Sequence, residues 1–168
     1  MKKENAMAEY ELHTHEFPPL YDQNSRVLIL GSFPSVRSRQ QQFYYGHPQN
    51  RFWRIIAAVT EEEPAQSIDE KKALALKHGI ALWDVIESCE IRGSSDSSIR
   101  NAVPTDLSVI LRVSPIEAVY TNGALAHRLY MKYQYPRTGI EAVRLPSTSP
   151  ANAAWTFDKL LSVWKQIV

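Results

Sequence analysis

The segment from Phe43 to Trp53, FYYGHPQNRFW, concentrates the side chains that could act on a flat polar ring. Its tyrosines can stack on an aromatic ligand, and the amide of Asn50 can donate or accept hydrogen bonds. An amide is not a base near neutral pH, so Asn50 could bind a ligand or orient a water molecule but could not abstract a proton. From its position alone, Asn50 could equally be the N-cap of a helix that follows.

A second segment, VLILGSFPS over 27–35, combines a continuous apolar run with a polar loop. The apolar run predicts a strand buried on both faces that ends at Gly31. Gly, Ser, Pro and Asn dominate the residues beyond it, and they recur around Asn122 and in the segment PSTSPAN over 146–152. Such loops expose backbone N–H groups, hydroxyls and amides, which suit neutral polar ligands and phosphates.

Acid–base and metal chemistry have few candidates in these segments. The carboxylate that they offer is Asp84, which could equally be a structural hydrogen-bonding residue at a strand end. His47 precedes Pro48, a position that more often orients a loop than serves as an acid. The five histidines are scattered and Cys89 is the only cysteine, so we expect neither a metal site nor another cofactor, and no internal disulfide can form.

The charge balance does not indicate a nucleic-acid-binding protein. The chain has 168 residues and a net charge of +1, whereas such proteins usually carry a clear basic excess. A local basic group is present, with no acidic residue between its members: Arg37, Arg39, Arg51 and Arg54. On charge alone this group is better interpreted as a solvated face, although it could contact phosphates.

Strands and helices are predicted to alternate along the chain. The predicted strands are 27–30, 80–86, 116–120 and 141–145. The predicted helices are one from about residue 50, then 67–78, 104–113, one from 124 to about 131, and a C-terminal helix with Ser149 as N-cap and Pro150 in its first turn. This order predicts an α/β fold with a mostly parallel sheet, helices on both faces, and ligands outside the carboxyl ends of the strands.

Two polar regions lie outside this alternation. Residues 87–103 are rich in serine and are predicted to form the longest loop, a candidate substrate rim. Residues 1–16 are expected to be loosely ordered, which leaves 17–168 as a single domain. The chain shows no signal peptide and no apolar run near the ~20 residues that span a bilayer. We therefore expect a cytoplasmic monomer that does not bind membranes.

Four segments together resemble the uracil-DNA glycosylase superfamily, and within it the hypoxanthine-DNA (deoxyinosine) glycosylases: FPPLYDQNSRVLILGSFPS, FYYGHPQNRFW, GIALWDVIESC and LPSTSPANA. The resemblance runs from about Phe17 to the C-terminus. It implies a three-layer α/β/α sandwich with a central four-stranded, mostly parallel sheet. It also implies a monofunctional enzyme without a cofactor, which flips deoxyinosine out of double-stranded DNA and hydrolyses the N-glycosidic bond to release hypoxanthine.

The resemblance also assigns roles to individual residues. It implies that Asn50 is the catalytic residue and that Tyr45 stacks on the flipped base. The other residues implied to bind the base are Gly31, Ser32, Phe33 and Asn122. The residues expected to contact DNA are Ser35, Arg37, Arg51, Ser147, Thr148, Ser149 and Asn152. Of these, the loop over 146–152 would enter the minor groove.

Two departures from other branches of the superfamily favour hypoxanthine over uracil as the released base. Phe33 stands where other branches carry a water-activating Asp or Asn, and Leu145 stands where the uracil-specific branch carries His. The alternatives are a uracil or thymine-mismatch glycosylase of the same fold, or a nucleic-acid-binding module without activity. A generic nucleotide-binding domain is disfavoured because the chain has neither of the glycine-rich phosphate-binding motifs.

Overall fold

The computed structural model of the protein describes residues 9–92 and 96–168. Its strands are β1 (Tyr10–Thr14), β2 (Val27–Gly31), β3 (Ile80–Asp84), β4 (Ile86–Arg92), β5 (Arg100–Pro104), β6 (Ala118–Asn122) and β7 (Ala142–Leu145). Its α-helices are α1 (Val36–Gln41), α2 (Phe52–Val59), α3 (Ile68–Lys77), α4 (Ser108–Leu111), α5 (Ala124–Leu129), α6 (Tyr135–Thr138) and α7 (Phe157–Trp164). A π-helical stretch, Tyr130–Gln134, joins α5 to α6, and two short 3₁₀ helices cover Asp96–Ser98 and Lys165–Ile167.

The central sheet has the strand order β3-β2-β6-β7, and all of its neighbouring strands are parallel. Residues 28–31 of β2 and all of β3 are buried, because both strands are covered by helices and their apolar runs can face inward on both sides. The expected α/β fold with a four-stranded parallel sheet between helices is confirmed.

Helices α2 and α7 pack against each other. Phe52 and Trp164 are both fully buried, and their rings meet edge to face at 5.7 Å. The predicted helix over 67–78 is observed as α3, which begins with a capping box in which Ser67 and Glu70 bond each other's backbone N–H groups. No helix in the described part of the chain is long and apolar enough to cross a membrane.

A second, antiparallel sheet of order β1-β4-β5 was missed by the sequence analysis. Residues 87–92 and 100–103 are not loop: they belong to β4 and β5. The expectation of loose order over 1–16 is also wrong for Tyr10–Thr14, which pairs with β4 along its whole length. In β4, the apolar residues Ile86, Cys89 and Ile91 are buried and lie between polar residues. The serine and glutamate content of this segment obscured the strand pattern in the sequence. Residues 1–8 and 93–95 lie outside the described residues.

Two predicted helix starts are also wrong. Pro104 ends β5, and the helix that follows is the single turn α4. The C-terminal helix begins at Phe157 with Thr156 as its N-cap, because Ser149 and Asn152 bond nearby backbone groups and hold residues 149–155 in turns. Pro150 therefore opens no helix whose N-terminus could bind a phosphate.

Candidate active site

A cavity of about 300 Å³ opens at the carboxyl ends of β2, β3 and β6. Gly31 and Asp84 are register partners at the ends of the adjacent strands β2 and β3, and Asn122 is the last residue of β6. The lining includes ten of the thirteen predicted site residues: Gly31, Ser32, Phe33, Ser35, Tyr45, Asn50, Asn122, Ser147, Thr148 and Ser149. The other three, Arg37, Arg51 and Asn152, are not among the residues that line this cavity.

The ring of Tyr45 lines the cavity and rests on a second aromatic ring. Its ring stacks on Phe52 with the centroids 4.0 Å apart and the planes 20° apart. Its φ of +55° is a left-handed conformation that is uncommon for a large side chain. Burial, and then the charge of Asp84, raise the pKa of the Tyr45 hydroxyl, so it stays protonated. Because Phe52 covers one face of the ring, the opposite face is the one available to a flat ligand.

Asn50 is held by two hydrogen bonds to its side-chain oxygen. Oδ1 accepts from the Phe52 backbone N–H at 2.9 Å and from the Thr148 hydroxyl at 2.8 Å. The N-cap of α2 is Arg51, and Asn50, one residue earlier, accepts the N–H of the first helical residue. Asn50 therefore supports the start of α2 as well as lining the cavity. A carbonyl oxygen has two lone pairs, and the bonds from Phe52 and Thr148 use both of those on Oδ1. The Nδ2 amino group therefore remains available to a ligand, and it can only donate hydrogen bonds.

Thr148 joins Asn50 to Asn122. Besides donating to Asn50, its hydroxyl accepts from Asn122 Nδ2 at 3.0 Å, and its backbone N–H donates to Asn122 Oδ1 at 3.1 Å. Thr148 is fully buried. Its expected contact with DNA is therefore wrong: it positions the two amides. Asn122 lines the cavity as expected, but both ends of its amide are already bonded to Thr148.

Arg51 is half-buried, and its guanidinium is bonded to the protein's own backbone. Its guanidinium donates to the carbonyl oxygens of Ser149 at 2.8 Å and Asn152 at 3.2 Å, and also to that of Trp155. Its backbone N–H donates to the carbonyl of Thr148 at 3.1 Å. The carbonyls of Ser149 and Asn152 also accept backbone N–H groups from Asn152 and Trp155, so each one uses both of its lone pairs. The predicted ionic contact of Arg51 with DNA is corrected accordingly: Arg51 fastens the loop over 146–155, here called the motif loop.

Of the remaining predicted DNA contacts, Ser35, Ser147 and Ser149 line the cavity, whereas Arg37 and Asn152 do not. Ser35 is exposed and caps α1 through a bond from Ser38 N–H, and Arg37 is exposed on the same helix. The hydroxyl of Ser147 accepts from the Ser149 N–H, and that of Ser149 accepts from the Ala151 N–H. The two loop serines therefore satisfy backbone donors within the motif loop.

The sequence analysis missed a buried pair at the floor of the cavity. His15 Nε2 lies 2.8 Å from Asp84 Oδ2, and the two side chains are only 3% and 6% exposed. A Cβ atom placed on Gly31 would lie 2.5 Å from Asp84 Oδ1, so the carboxylate requires glycine at that position. Asp84 was noted in the sequence, whereas His15 fell within residues expected to be loosely ordered. Across the described residues, no group of three or more His, Cys, Asp or Glu side chains could hold a metal ion.

Comparison with known proteins agrees with this geometry. The family model of the uracil DNA glycosylase superfamily matches residues 18–167. A protein of Methanosarcina acetivorans named hypoxanthine DNA glycosylase is 35% identical over 153 residues, which cover 90% of this chain and 95% of the relative. A protein of the same name from Methanosarcina barkeri is 38% identical over 110 residues, which cover 64% of this chain and 69% of the relative.

A solved structure shows the same fold. The solution NMR structure of a candidate uracil DNA glycosylase from Methanosarcina acetivorans aligns with a TM-score of 0.77 at 33% identity. The alignment covers 90% of this chain and 93% of that protein. The chain therefore belongs to the uracil DNA glycosylase superfamily, in the family of the hypoxanthine DNA glycosylases.

Proposed function

We propose that the protein is a monofunctional DNA glycosylase that flips deoxyinosine out of double-stranded DNA and hydrolyses its N-glycosidic bond to release hypoxanthine. One observation carries this proposal: a supported tyrosine ring and an immobilised amide donor, Tyr45 and Asn50, line one cavity at the carboxyl ends of parallel strands. A flipped base needs a ring to stack on and polar groups along its edge. The names of the two archaeal relatives support hypoxanthine as the base.

The proposed chemistry depends on stabilising the departing base. Cleavage of a deoxyribosyl C1′–N bond passes through an oxocarbenium-like transition state, and the purine takes up negative charge as it leaves. With Oδ1 of Asn50 fixed by Phe52 and Thr148, its Nδ2 group can donate to the departing purine or to the oxygen of the attacking water. Loss of one such donor in a water-excluded site typically costs ~3 kcal/mol of transition-state stabilisation.

Binding of the DNA is assigned to the motif loop and the exposed face of α1. Ser35, Arg37, Ser147, Ser149 and Asn152 would contact the duplex, and the motif loop would enter the minor groove. Uncharged donors and backbone groups can fix register on DNA without ionic contacts. We propose that the enzyme acts as a monomer in the cytoplasm, where a protein with one cysteine needs no disulfide. We propose that the catalytic domain also includes His15, because its ring bonds the Asp84 carboxylate that lines the cavity.

The test is a panel of duplexes that carry hypoxanthine, uracil, xanthine or a thymine mismatch at one position, scored for base release. We expect release of hypoxanthine, with uracil at least about 100-fold slower because Phe33 replaces a water-activating side chain. Robust uracil excision with no action on deoxyinosine would overturn the proposed substrate. Tight binding without any abasic product would show a binding module instead of an enzyme.

A further inference from the structure

The His15–Asp84 pair at the floor of the cavity has no part in the chemistry described so far. The two side chains come from different sheets, since His15 follows β1 and Asp84 ends β3. One carboxylate oxygen, Oδ2, is held by His15 at 2.8 Å. The other, Oδ1, forms no hydrogen bond with any described residue, and Asp84 lines the cavity. The pair therefore leaves one acceptor oxygen for a ligand.

His15 is fixed as a donor to this carboxylate. Its ring packs against those of Phe17 and Tyr44, with centroids 4.5 Å and 6.0 Å away. Its Nδ1 atom is buried and has no hydrogen-bond partner among the described residues. Nε2 must carry the hydrogen, because a lone pair there would face the carboxylate.

The free oxygen of Asp84 lies beside the stacking ring. A Cβ atom placed on Gly31 would lie 2.5 Å from Asp84 Oδ1 and 3.3 Å from the Tyr45 hydroxyl, so both oxygens meet at this glycine. A base stacked on the exposed face of Tyr45 would bring one polar edge to this point. That edge would meet the carboxylate acceptor beside the Tyr45 hydroxyl, which is also buried and has no hydrogen-bond partner among the described residues. A carboxylate oxygen in a buried site costs free energy unless a donor pairs with it.

We propose that Asp84, oriented by His15, is a specificity-determining residue that accepts a hydrogen bond from N1–H of hypoxanthine. The inference rests on the proposed function. Hypoxanthine carries a hydrogen on N1, whereas adenine carries a lone pair there, so the carboxylate attracts the deaminated base and repels its parent. Guanine also carries N1–H, and its stable pair with cytosine opposes its extrusion from the duplex. His15 acts as a positioning residue that keeps Oδ2 occupied and Oδ1 turned to the base.

The principal test is Asp84→Asn. His15 would donate to the amide oxygen and turn the amino group toward the base, where it would oppose N1–H of hypoxanthine. We expect single-turnover release of hypoxanthine to fall at least about 100-fold, as is typical when a donor–acceptor pair becomes mismatched. Adding His15→Ala should free the amide to rotate and present its oxygen, so the double variant should be at least about 10-fold faster than Asp84→Asn alone. A merely structural contact would give the opposite result, a further loss.

A second pair of variants, both at His15, tests the inference without depending on whether Asp84→Asn folds. Affinity is measured for duplexes that carry non-hydrolysable 2′-fluoroarabino analogues of deoxyinosine and deoxyadenosine. His15→Gln keeps an N–H donor and should retain the preference for the inosine analogue within about threefold. His15→Ala releases the carboxylate and should reduce that preference at least about 10-fold.

Matched controls are Glu87→Gln and His13→Ala, which make the same chemical changes on β4 and β1 outside the cavity lining. Both should leave rate and preference unchanged, and melting temperatures are recorded for every variant. The inference is overturned if Asp84→Asn keeps the wild-type rate within about threefold, if the double variant is no faster than Asp84→Asn, or if His15→Ala keeps the wild-type preference. Failure of the wild-type enzyme to release hypoxanthine would instead refute the proposed function.

Discussion

The motif loop and the floor of the cavity hold their functional groups by different means. On the motif-loop side, Thr148 and Arg51 bond the amides and backbone carbonyls of residues near them in space, and no acidic side chain takes part in those bonds. At the floor, a carboxylate is held by a histidine that comes from the other sheet, 69 residues away in sequence. The neutral amides and carbonyls of the motif loop are held by a hydroxyl, a backbone N–H and a guanidinium, whereas the buried carboxylate depends on a single imidazole donor.

This difference separates the residues that face a ligand from those that orient them. Thr148 and Arg51 lie in the motifs yet bond only to the protein, so a motif marks a site without distinguishing contact from support. At the floor the supporting residue, His15, lies outside the motifs altogether. We expect substitutions of ligand-facing residues to affect the rate most, and substitutions of supporting residues to affect stability and DNA binding together.

The largest effect is expected for Asn50→Ala. Removing the Nδ2 donor should lower the single-turnover rate at least about 100-fold, because the donor acts on charge that develops in the transition state. The stability cost should be about 2–4 kcal/mol, from the lost bond at the start of α2 and from the buried Thr148 hydroxyl left without its acceptor. Single-turnover rate and melting temperature measured on the same protein separate these two roles.

Gln49→Ala is the matched control for Asn50→Ala, since Gln49 is the exposed neighbouring amide. It should change neither rate nor stability. Near-normal turnover of Asn50→Ala with a reduced melting temperature would leave Asn50 with the supporting role only.

The parallel sheet, and a cavity at its carboxyl ends lined by Tyr45 and Asn50, could be predicted from the sequence because both depend on local patterns. Apolar runs such as Val27–Gly31 indicate buried strands, and the spacing of Tyr45 and Asn50 belongs to one continuous segment. The second sheet could not be predicted in this way. Its strands β1 and β4 lie far apart in sequence and are stabilised by pairing with each other, which no local composition reveals.

The contacts that orient the site residues could not be predicted from the sequence either. Ser149-Pro150 has the local form of a helix start, but tertiary contacts to Arg51 hold that segment in turns. The burial of Thr148 depends on the meeting of the motif loop with α2, and the partner of Asp84 depends on where β1 docks. In each case the deciding contact joins residues that are distant along the chain.

The second largest effect is expected at Tyr45. Base–aromatic stacking is worth ~1–3 kcal/mol by alanine substitution, so Tyr45→Ala should weaken binding of an extruded base about 5- to 150-fold. Tyr45→Phe keeps the ring on Phe52 and should stay close to wild type. Binding of a duplex with a non-hydrolysable inosine analogue provides the measurement. Equal losses in the two variants would assign the role to the hydroxyl and remove the stacking interpretation.

A smaller effect, and a direct test of the comparison, comes from two arginines. Arg51→Gln should lower the melting temperature and reduce the rate about 10-fold, because the motif loop and Asn50 lose a common anchor. The salt dependence of DNA binding by Arg51→Gln should equal that of the wild type. Arg37→Gln should leave the melting temperature unchanged and make the slope of log affinity against log salt shallower by about 1. If the two variants exchanged these signatures, Arg51 would be a phosphate contact and not a support.

The smallest effect is expected for Ser147→Ala combined with Ser149→Ala. Each hydroxyl accepts a backbone N–H within the motif loop, so their loss should loosen the loop and weaken duplex binding by about 3- to 10-fold. Neither side chain is charged, so the slope of log affinity against log salt should not change. The slope itself should be shallow, about −2 to −4, because counterion release follows the number of phosphates that the protein neutralises. Arg51 adds little to that number, since its guanidinium is bonded to backbone carbonyls of the protein. Binding titrations at several salt concentrations measure both quantities, and a slope near −8 would indicate an extensive basic surface instead of a mainly uncharged grip on the duplex.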